Sequence, residues 1–265
     1  MKITTLIENL VYKKGLVAEH GLSFYFNYDN QKIIIDTGQS GNFIKNASAL
    51  GINIIDVDYV IITHGHYDHT GGLIDFLKIN NKAKIIIKPD TLQPKLKNNN
   101  YIGIPKNLKI PEDRIYTIQS NKWLTQNIYI LTNIHTHFTN DFHNENFYVN
   151  NNKEIKEDLF TDELSIVIKK DNQINIISSC SHNGITNIIE TAKKNINLPV
   201  NLVLGGFHIN RSSREVKDFI VKYLNNNNTK QIGFCHCSGI DNFSIFQNKC
   251  NAKVFYNYTG NVIEL

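Results

Sequence analysis

One apolar run that ends in a dense group of polar side chains constrains the fold of this chain more than any other feature. The run is VDYVII, residues 57–62, and the stretch THGHYDHTGG follows at residues 63–72. An apolar run of this length is typical of a strand buried on both faces. The stretch after it holds four side chains of metal-ligating type: His64, His66, Asp68 and His69. Neighbours at this spacing point apart on a helix, so we expect a loop at the strand end to bring them together.

Strand-type runs and helical patterns alternate along the rest of the chain. The strand-type runs are KITTLI at 2–7, GLSFYFNY at 21–28, KIIIDTG at 32–38, AKIIIKP at 83–89, NIYILTNI at 127–134, ELSIVIKK at 163–170, QINIISSC at 173–180, VNLVLGGFHI at 200–209, KQIGFCHCSG at 230–239 and AKVFYNY at 252–258. Apolar residues at helical spacing predict helices near 43–50, 73–77, 185–192 and 216–224. Two similar successions of strands and helices predict an α/β fold with two sheets and outer helices, a four-layer αββα sandwich.

The length of 265 residues fits one large α/β domain, and we predict a single domain over 1–265. Residues 98–160 depart from the alternating pattern because they are polar and rich in Asn. Long irregular segments in compact domains are usually functional or mobile. We therefore predict an irregular lid or insert at 98–160.

Composition favours a cytoplasmic protein, and the expected partner is a small-molecule substrate. The formal net charge is +4 and the lysines are scattered, so nucleic acid is an unlikely partner. The N-terminal residues lack an apolar leader, and no stretch approaches the roughly 18 apolar residues of a membrane span, so no membrane partner is expected. Four cysteines in a chain of this length are not a disulfide framework. The sequence carries no signal for an oligomeric state.

The polar stretch itself indicates a metal site. Imidazole suits zinc, iron and nickel, and an added carboxylate suits a hard or borderline cation. A solvated loop or a helix N-terminus would also explain polar residues here. However, His and Asp side chains that are buried together need a metal or a charged partner to offset their desolvation. The metal interpretation is therefore the stronger one.

On these residues the sequence resembles the metallo-β-lactamase superfamily of metal-dependent hydrolases. The H-x-H-x-D-H signature of that family is present at 64–69, and DTG at 36–38 resembles its first motif, in which the Asp, here Asp36, orients the metal loop. The resemblance implies the αββα metallo-β-lactamase fold. A subgroup that includes methanopterin-biosynthesis and dihydropteroate-synthase-like proteins is similar nearly end to end, through AEHGLS, DTGQS, THGHYDHTGG, SCSHNGI, GGFHI and CHCSG.

The resemblance implies one or two divalent metal ions per chain, with zinc as the first choice and iron or manganese as alternatives. The implied ligands of the first metal are His64, His66 and His182. Those of the second are Asp68, His69 and His236. The family's bridging Asp is replaced here by SSCSH at 178–182, so the bridge is lost or is supplied by Cys180 or His208.

Several nearby residues have two interpretations. Cys180 is a ligand or a small buried core residue. His208 is a ligand or a substrate contact. Cys235 and Cys237 flank His236, and the lack of a second C-x-x-C pair favours packing thiols over a zinc ribbon.

The implied function is a metal-dependent hydrolase that uses a metal-bound hydroxide on an ester, lactone, amide or phosphodiester. Asp68 then acts both as a ligand and as the catalytic proton acceptor. The subgroup implies an alternative, a pterin-related transferase of methanopterin-type biosynthesis that condenses two substrates with loss of diphosphate. A further alternative is a non-catalytic protein that binds a metal or ligand.

Overall fold

The chain forms two α/β units in the computed structural model, which describes residues 1–142, 144–150 and 154–265. The first unit comprises Met1–Gln119, Asn144–Asp162 and Tyr258–Leu265, and the second comprises Ser120–His143 and Glu163–Asn257. The α/β class predicted from the sequence is confirmed by the strands and helices of both units. The single-domain boundary over 1–265 stays a prediction.

The strands within the described residues, numbered in chain order, are β1 Lys2–Ile7, β2 Ser23–Tyr28, β3 Gln31–Ile35, β4 Tyr59–Ile61, β5 Lys84–Ile87, β6 Lys95–Lys97, β7 Asn100–Tyr101, β8 Ile115–Thr117, β9 Lys122–Trp123, β10 Ile128–Leu131, β11 Phe147–Asn150, β12 Ile155–Glu157, β13 Ser165–Lys170, β14 Gln173–Ser178, β15 Val200–Gly205, β16 Gln231–Phe234, β17 Lys253–Tyr256 and β18 Val262–Glu264.

The α-helices of the described ranges are α1 Asn42–Ala49, α2 Tyr67–Thr70, α3 Leu73–Ile79, α4 Ile185–Ile196, α5 Arg214–Asn226 and α6 Ile240–Lys249. Short 3-10 helices span Ile54–Asp56, Pro89–Leu92, Glu112–Arg114, Thr139–Asp141 and His236–Ser238. Among the residues that the structure describes, no helix is both long enough and apolar enough to cross a membrane.

The first unit is built on a mixed sheet in the order β18, β1, β2, β3, β4, β5, β8. The hairpin between β2 and β3 turns at Asp29 and Asn30, whose φ angles of 51° and 58° are typical of a type I′ turn. From β3 to β8 the pairings are parallel. Phe43 of α1 and Phe76 of α3 are fully buried in the apolar cluster that covers this sheet. A smaller sheet in the order β12, β11, β6, β7 belongs to the same unit.

The second unit is built on a sheet in the order β17, β16, β15, β14, β13, β10, β9. The pairings from β14 to β17 are parallel. Apolar residues of α4 and α5, such as Ile188 and Ile220, are fully buried in the core that covers these strands. Because parallel strands point the same way, the loops after β14, β15 and β16 leave the same edge of the sheet.

The segment 98–160 is divided between the two units and carries the short strands β7 to β12. Its role as a lid stays a prediction, and residues 143 and 151–153 of the segment lie outside the described residues. Helix α6 and strand β18 were not predicted. Residues 240–249 are mostly polar, and only Asn242 and Phe246 of α6 are buried, which leaves too weak an apolar pattern to recognise.

The buried side chain of Asn80 joins two loops of the first unit. Its amide nitrogen donates hydrogen bonds to the carbonyl oxygens of Ile54, Ile55 and Val57 at 3.0–3.1 Å. Its amide oxygen accepts hydrogen bonds from the backbone N–H of Lys82 and Ala83. These contacts satisfy backbone groups that would otherwise be buried without partners.

We therefore expect Asn80→Ala to lower the free energy of unfolding by about 3 kcal/mol, because several buried backbone groups lose their hydrogen bonds. The exposed neighbour Asn81 provides the control, and Asn81→Ala should change stability by less than about 0.5 kcal/mol. Urea unfolding followed by circular dichroism measures both. Equal stability of the two variants would contradict this role of Asn80.

Candidate metal-binding site

The first unit brings together all four polar residues predicted at the end of β4. Exposed fractions of the residues are 0% for His64, 6% for His66, 7% for Asp68 and 0% for His69. The His64 Nε2 and His66 Nδ1 atoms are 3.0 Å apart, and His69 Nε2 lies 3.7 Å from Asp68 Oδ2. Asp68 and His69 lie in the single turn of the short helix α2, where a loop was predicted. A buried set of imidazole and carboxylate groups with this spacing fits a divalent cation.

Burial lowers the pKa of His64 well below its usual value, and repulsion by the nearby His69 and His66 lowers it further. The imidazole is therefore neutral near pH 7. Neutral imidazole is the form of histidine that ligates metals.

The Asp36 carboxylate accepts hydrogen bonds from His69 and from the neighbouring Thr63. Asp36 follows β3 with a φ of 54°, and its Oδ2 atom accepts hydrogen bonds from His69 Nδ1 at 2.8 Å and from Thr63 Oγ1 at 2.7 Å. Its Oδ1 atom accepts a hydrogen bond from the Thr63 backbone N–H at 2.8 Å. Because the carboxylate holds the Nδ1 proton of His69, the Nε2 atom is left on the side of Asp68. The orienting role of Asp36 stays a prediction, with which these hydrogen bonds agree.

A buried ion cluster of Lys95, Asp158 and Asp162 contacts the loop that carries His64 and His66. Asp162 Oδ2 accepts a hydrogen bond from the Gly65 backbone N–H at 2.7 Å. Lys95 Nζ lies 2.9 Å from Asp162 Oδ1 and 2.6 Å from Asp158 Oδ2. Burial opposes the charge of Lys95, but the two carboxylates outweigh it and raise the pKa of Lys95 above its usual value. This cluster was not predicted, since its members lie in polar stretches without a motif.

Residue 65 also has to be glycine. A Cβ atom at Gly65 would lie 2.2 Å from the Thr91 carbonyl oxygen. This close approach lets the backbone pass between His64 and His66 without displacing its neighbours.

The second unit brings together the remaining predicted ligands at the ends of β14, β15 and β16. One group of donor atoms comes from Cys180, His182 and His208, and all of them lie within 4.8 Å of one another. A second group, with the same limit of 4.8 Å, comes from Cys180, His236 and Cys237. His182, His236 and Cys180 are buried, and the rings of His182 and His208 lie 4.2 Å apart between centroids.

Three residues of these loops have a left-handed backbone. The φ angles are 58° for Ser181, 52° for His208 and 52° for His236. Such conformations are uncommon for residues other than glycine, and they persist where the surrounding structure enforces them. This backbone strain therefore lies at two candidate ligands, His208 and His236, and at Ser181, which precedes the candidate ligand His182.

Glu163 is a further residue that the sequence analysis missed. Its carboxylate accepts hydrogen bonds from the backbone N–H of His182 at 2.7 Å and of Asn183 at 2.8 Å. It also accepts one from Asn183 Nδ2 at 2.8 Å. Glu163 therefore fixes the turn that carries His182.

The two cysteines beside His236 differ in their surroundings. Cys235 is fully buried, as expected of the predicted packing thiol. The Cys237 sulfur instead lies in a donor group, which the packing interpretation does not explain. Burial alone would raise the pKa of the Cys237 thiol, but hydrogen bonds with Cys180 and His208 and the nearby His236 hold it well below its usual value.

Comparisons with known proteins give the chain its family. The family described as "Metallo-beta-lactamase superfamily" matches residues 17–147. A solved structure described as a metal-dependent hydrolase of the beta-lactamase superfamily, Tm1679, is 30% identical, covers 100% of this chain and 99% of its own, and has a TM-score of 0.87. The metallo-beta-lactamase fold protein YhfI from Bacillus subtilis is 12% identical with a TM-score of 0.58, and this similarity shows the fold alone.

Two relatives from Methanocaldococcus jannaschii are similar over nearly their whole length. One is an uncharacterized protein, 28% identical over 98% of this chain and 99% of its own. The other is named 7,8-dihydropterin-6-methyl-4-(beta-D-ribofuranosyl)-aminobenzene-5'-phosphate synthase, and is 26% identical over 100% of this chain and 96% of its own. The predicted metallo-β-lactamase fold and the predicted likeness to methanopterin-biosynthesis proteins are both confirmed. The chain belongs to the metallo-β-lactamase superfamily.

Proposed function

We propose that this protein is a metal-dependent hydrolase that cleaves an ester, lactone, amide or phosphodiester bond in a small molecule. The observation that carries the proposal is the buried cluster at the end of β4, in which Asp36 fixes His69 through a 2.8 Å hydrogen bond. Histidines that are oriented by a carboxylate in this way are typical of metal sites. The superfamily to which the chain belongs generally binds divalent metals, which agrees with this donor set.

The residues proposed to hold one or two divalent ions, zinc as the first choice, are His64, His66, Asp68, His69, His182 and His236. When bound, the metal lowers the pKa of a water ligand to about 7 and polarises the substrate oxygen. Cys180 belongs to both donor groups of the second unit, which favours it for the position of the family's bridging Asp. His208 remains an alternative ligand.

Asp68 is the proposed proton acceptor. Its Oδ2 atom lies 3.2 Å from His20 Nε2, and the side chain of His20 is 53% exposed. A proton that Asp68 accepts can therefore move to His20 and on to solvent. Asp36 holds His69 in place during this transfer, and the burial of His64 and His69 keeps bulk water away from them.

A cytoplasmic location and a small-molecule substrate, with no nucleic acid or membrane partner, complete the proposal. Four cysteines in a chain of this length are too sparse for a disulfide framework, which supports a reducing compartment.

His66→Ala tests the hydrolase proposal. We expect the metal content of the purified variant to fall and hydrolysis of a panel of esters, lactones and phosphodiesters to drop to background, because a ligand is lost. His135 is exposed and provides the matched control, so His135→Ala should keep both. Elemental analysis and turnover are measured together. Full metal content and activity in His66→Ala would remove His66 from the site. Bound metal in the wild type without turnover of any substrate would favour a non-catalytic binding protein.

Asp36→Asn tests the orienting role. The amide has one acceptor oxygen and one donor nitrogen, so it cannot accept all three hydrogen bonds that Oδ1 and Oδ2 accept now. The hold on His69 weakens and metal affinity should fall by about 10–100-fold. The partly exposed Asp75 gives a control of the same chemistry, and Asp75→Asn should leave the affinity unchanged. Competition with a chromophoric chelator measures both values. An unchanged affinity in Asp36→Asn would show that His69 needs no carboxylate.

A transferase of pterin substrates is the second candidate, and it is favoured by the end-to-end similarity to the named synthase. In this reaction an aminobenzene ribose phosphate displaces diphosphate from a pterin methyl diphosphate.

Diphosphate release distinguishes the two functions. A transferase should release diphosphate only when both substrates are present, and the pterin should appear joined to the aminobenzene compound by mass spectrometry. A hydrolase should act on a single substrate and yield a hydroxymethyl pterin or no product. Release that requires both substrates would replace the hydrolase proposal with the transferase.

A further inference from the structure

The Cys237 sulfur gives the second unit a donor set that is richer in sulfur than histidine and carboxylate ligands alone. We propose that Cys180, Cys237 and His236 together bind a thiophilic divalent cation, zinc, through two thiolates and one imidazole. The inference rests on the proposed function, since His236 is assigned there as a ligand and Cys180 is favoured there for the bridging position. It goes beyond that function by adding Cys237 and by joining the two sulfurs and His236 into one donor set.

The distances in the second unit support the assignment. A tetrahedral zinc ion with bonds of about 2.3 Å to sulfur and about 2.0 Å to nitrogen holds its donor atoms about 3.5–3.8 Å apart. The donor atoms of the three side chains all lie within 4.8 Å of one another. Movements of about 1 Å or less therefore close the set around an ion.

The backbone leaves a space for the Cys237 sulfur. A Cβ atom at Gly206 would lie 2.5 Å from that sulfur and 2.5 Å from the Ser179 carbonyl oxygen. The Cys237 thiol also points at the Cys180 backbone, with 3.6 Å between Sγ and the Cys180 carbonyl oxygen. Glycine at residue 206 thus allows the sulfur to reach Cys180, and any larger residue would displace it.

The other two cysteines that are compared with Cys237 are Cys235 and Cys250, and both are packing thiols. Cys250 packs against the apolar core, and burial raises the pKa of its thiol to about 11. Neither Cys235 nor Cys250 belongs to any of the donor groups found among the described residues. Cys237 differs from both, because its neighbours are a second sulfur and imidazole rings.

The chemistry of the donors selects the metal. Thiolates favour zinc over the harder manganese and magnesium ions. Cysteine ligates zinc as the thiolate, so any proton that Cys180 or Cys237 still holds passes to the solvent on binding. The charge of two thiolates neutralises the ion within the second unit.

X-ray absorption at the zinc edge tests the proposal on the whole, zinc-loaded protein. We expect two sulfur neighbours per chain at about 2.3 Å in the wild type, counted over all bound zinc ions, in addition to lighter neighbours at about 2.0–2.1 Å. Cys237→Ser should retain one sulfur, and Cys180→Ser should retain one. Cys250→Ser is the matched control and should retain both.

Gly206→Ala gives an independent variant that keeps all four thiols. It should reduce the sulfur count by one because its methyl group displaces the Cys237 sulfur. A zinc shell without sulfur in the wild type, or with two sulfurs in Cys237→Ser, would overturn the proposal. A wild type with two sulfurs that hydrolyses no substrate would leave this inference standing and would refute the hydrolase.

Discussion

The desolvation of the polar residues at the end of β4 is the constraint on which the candidate site depends. His64 and His69 are fully buried, and a buried imidazole or carboxylate is costly unless a hydrogen bond or an ion replaces its water. Asp36 supplies such a bond to His69 and two to Thr63, so one carboxylate fixes the strand end and a ligand together. The left-handed backbone of Asp36 is the local strain that this arrangement requires.

Two consecutive acidic residues, Asp162 and Glu163, also accept hydrogen bonds from the loops that carry the histidines. Asp162 accepts the backbone N–H of Gly65 in the first unit, and Glu163 accepts that of His182 in the second. Each carboxylate thus fixes a turn that carries histidines. Asp162 is itself buried, and Lys95 compensates its charge at 2.9 Å. A buried carboxylate without Lys95 would be strongly destabilising, so the support of the loop depends on the ion pair as a whole.

The sequence predicted the elements that have strong periodicity and the residues that belong to a dense motif. The strand and loop at 57–72 needed only local information, and the hairpin turn at Asp29 and Asn30 is a local signal as well. Helix α6 was missed because its apolar pattern is weak. Lys95, Asp162 and Glu163 were missed for another reason: their partners lie 19 to 97 residues away in sequence, and an acidic or basic residue in a polar stretch has no local mark.

Cys237 shows most clearly that the spacing of residues in a motif does not by itself predict their chemical role. A single C-x-C around a histidine is compatible with packing thiols, and Cys235 behaves in that way because it is fully buried. Alternation along a strand would place residues 235 and 237 on the same side, so the difference between the two thiols arises beyond the end of β16 at Phe234. The 3-10 turn at His236–Ser238 and the left-handed His236 then bring the Cys237 sulfur to the side of Cys180. The spacing is local, but the chemical role depends on Cys180, which lies 57 residues earlier in the chain.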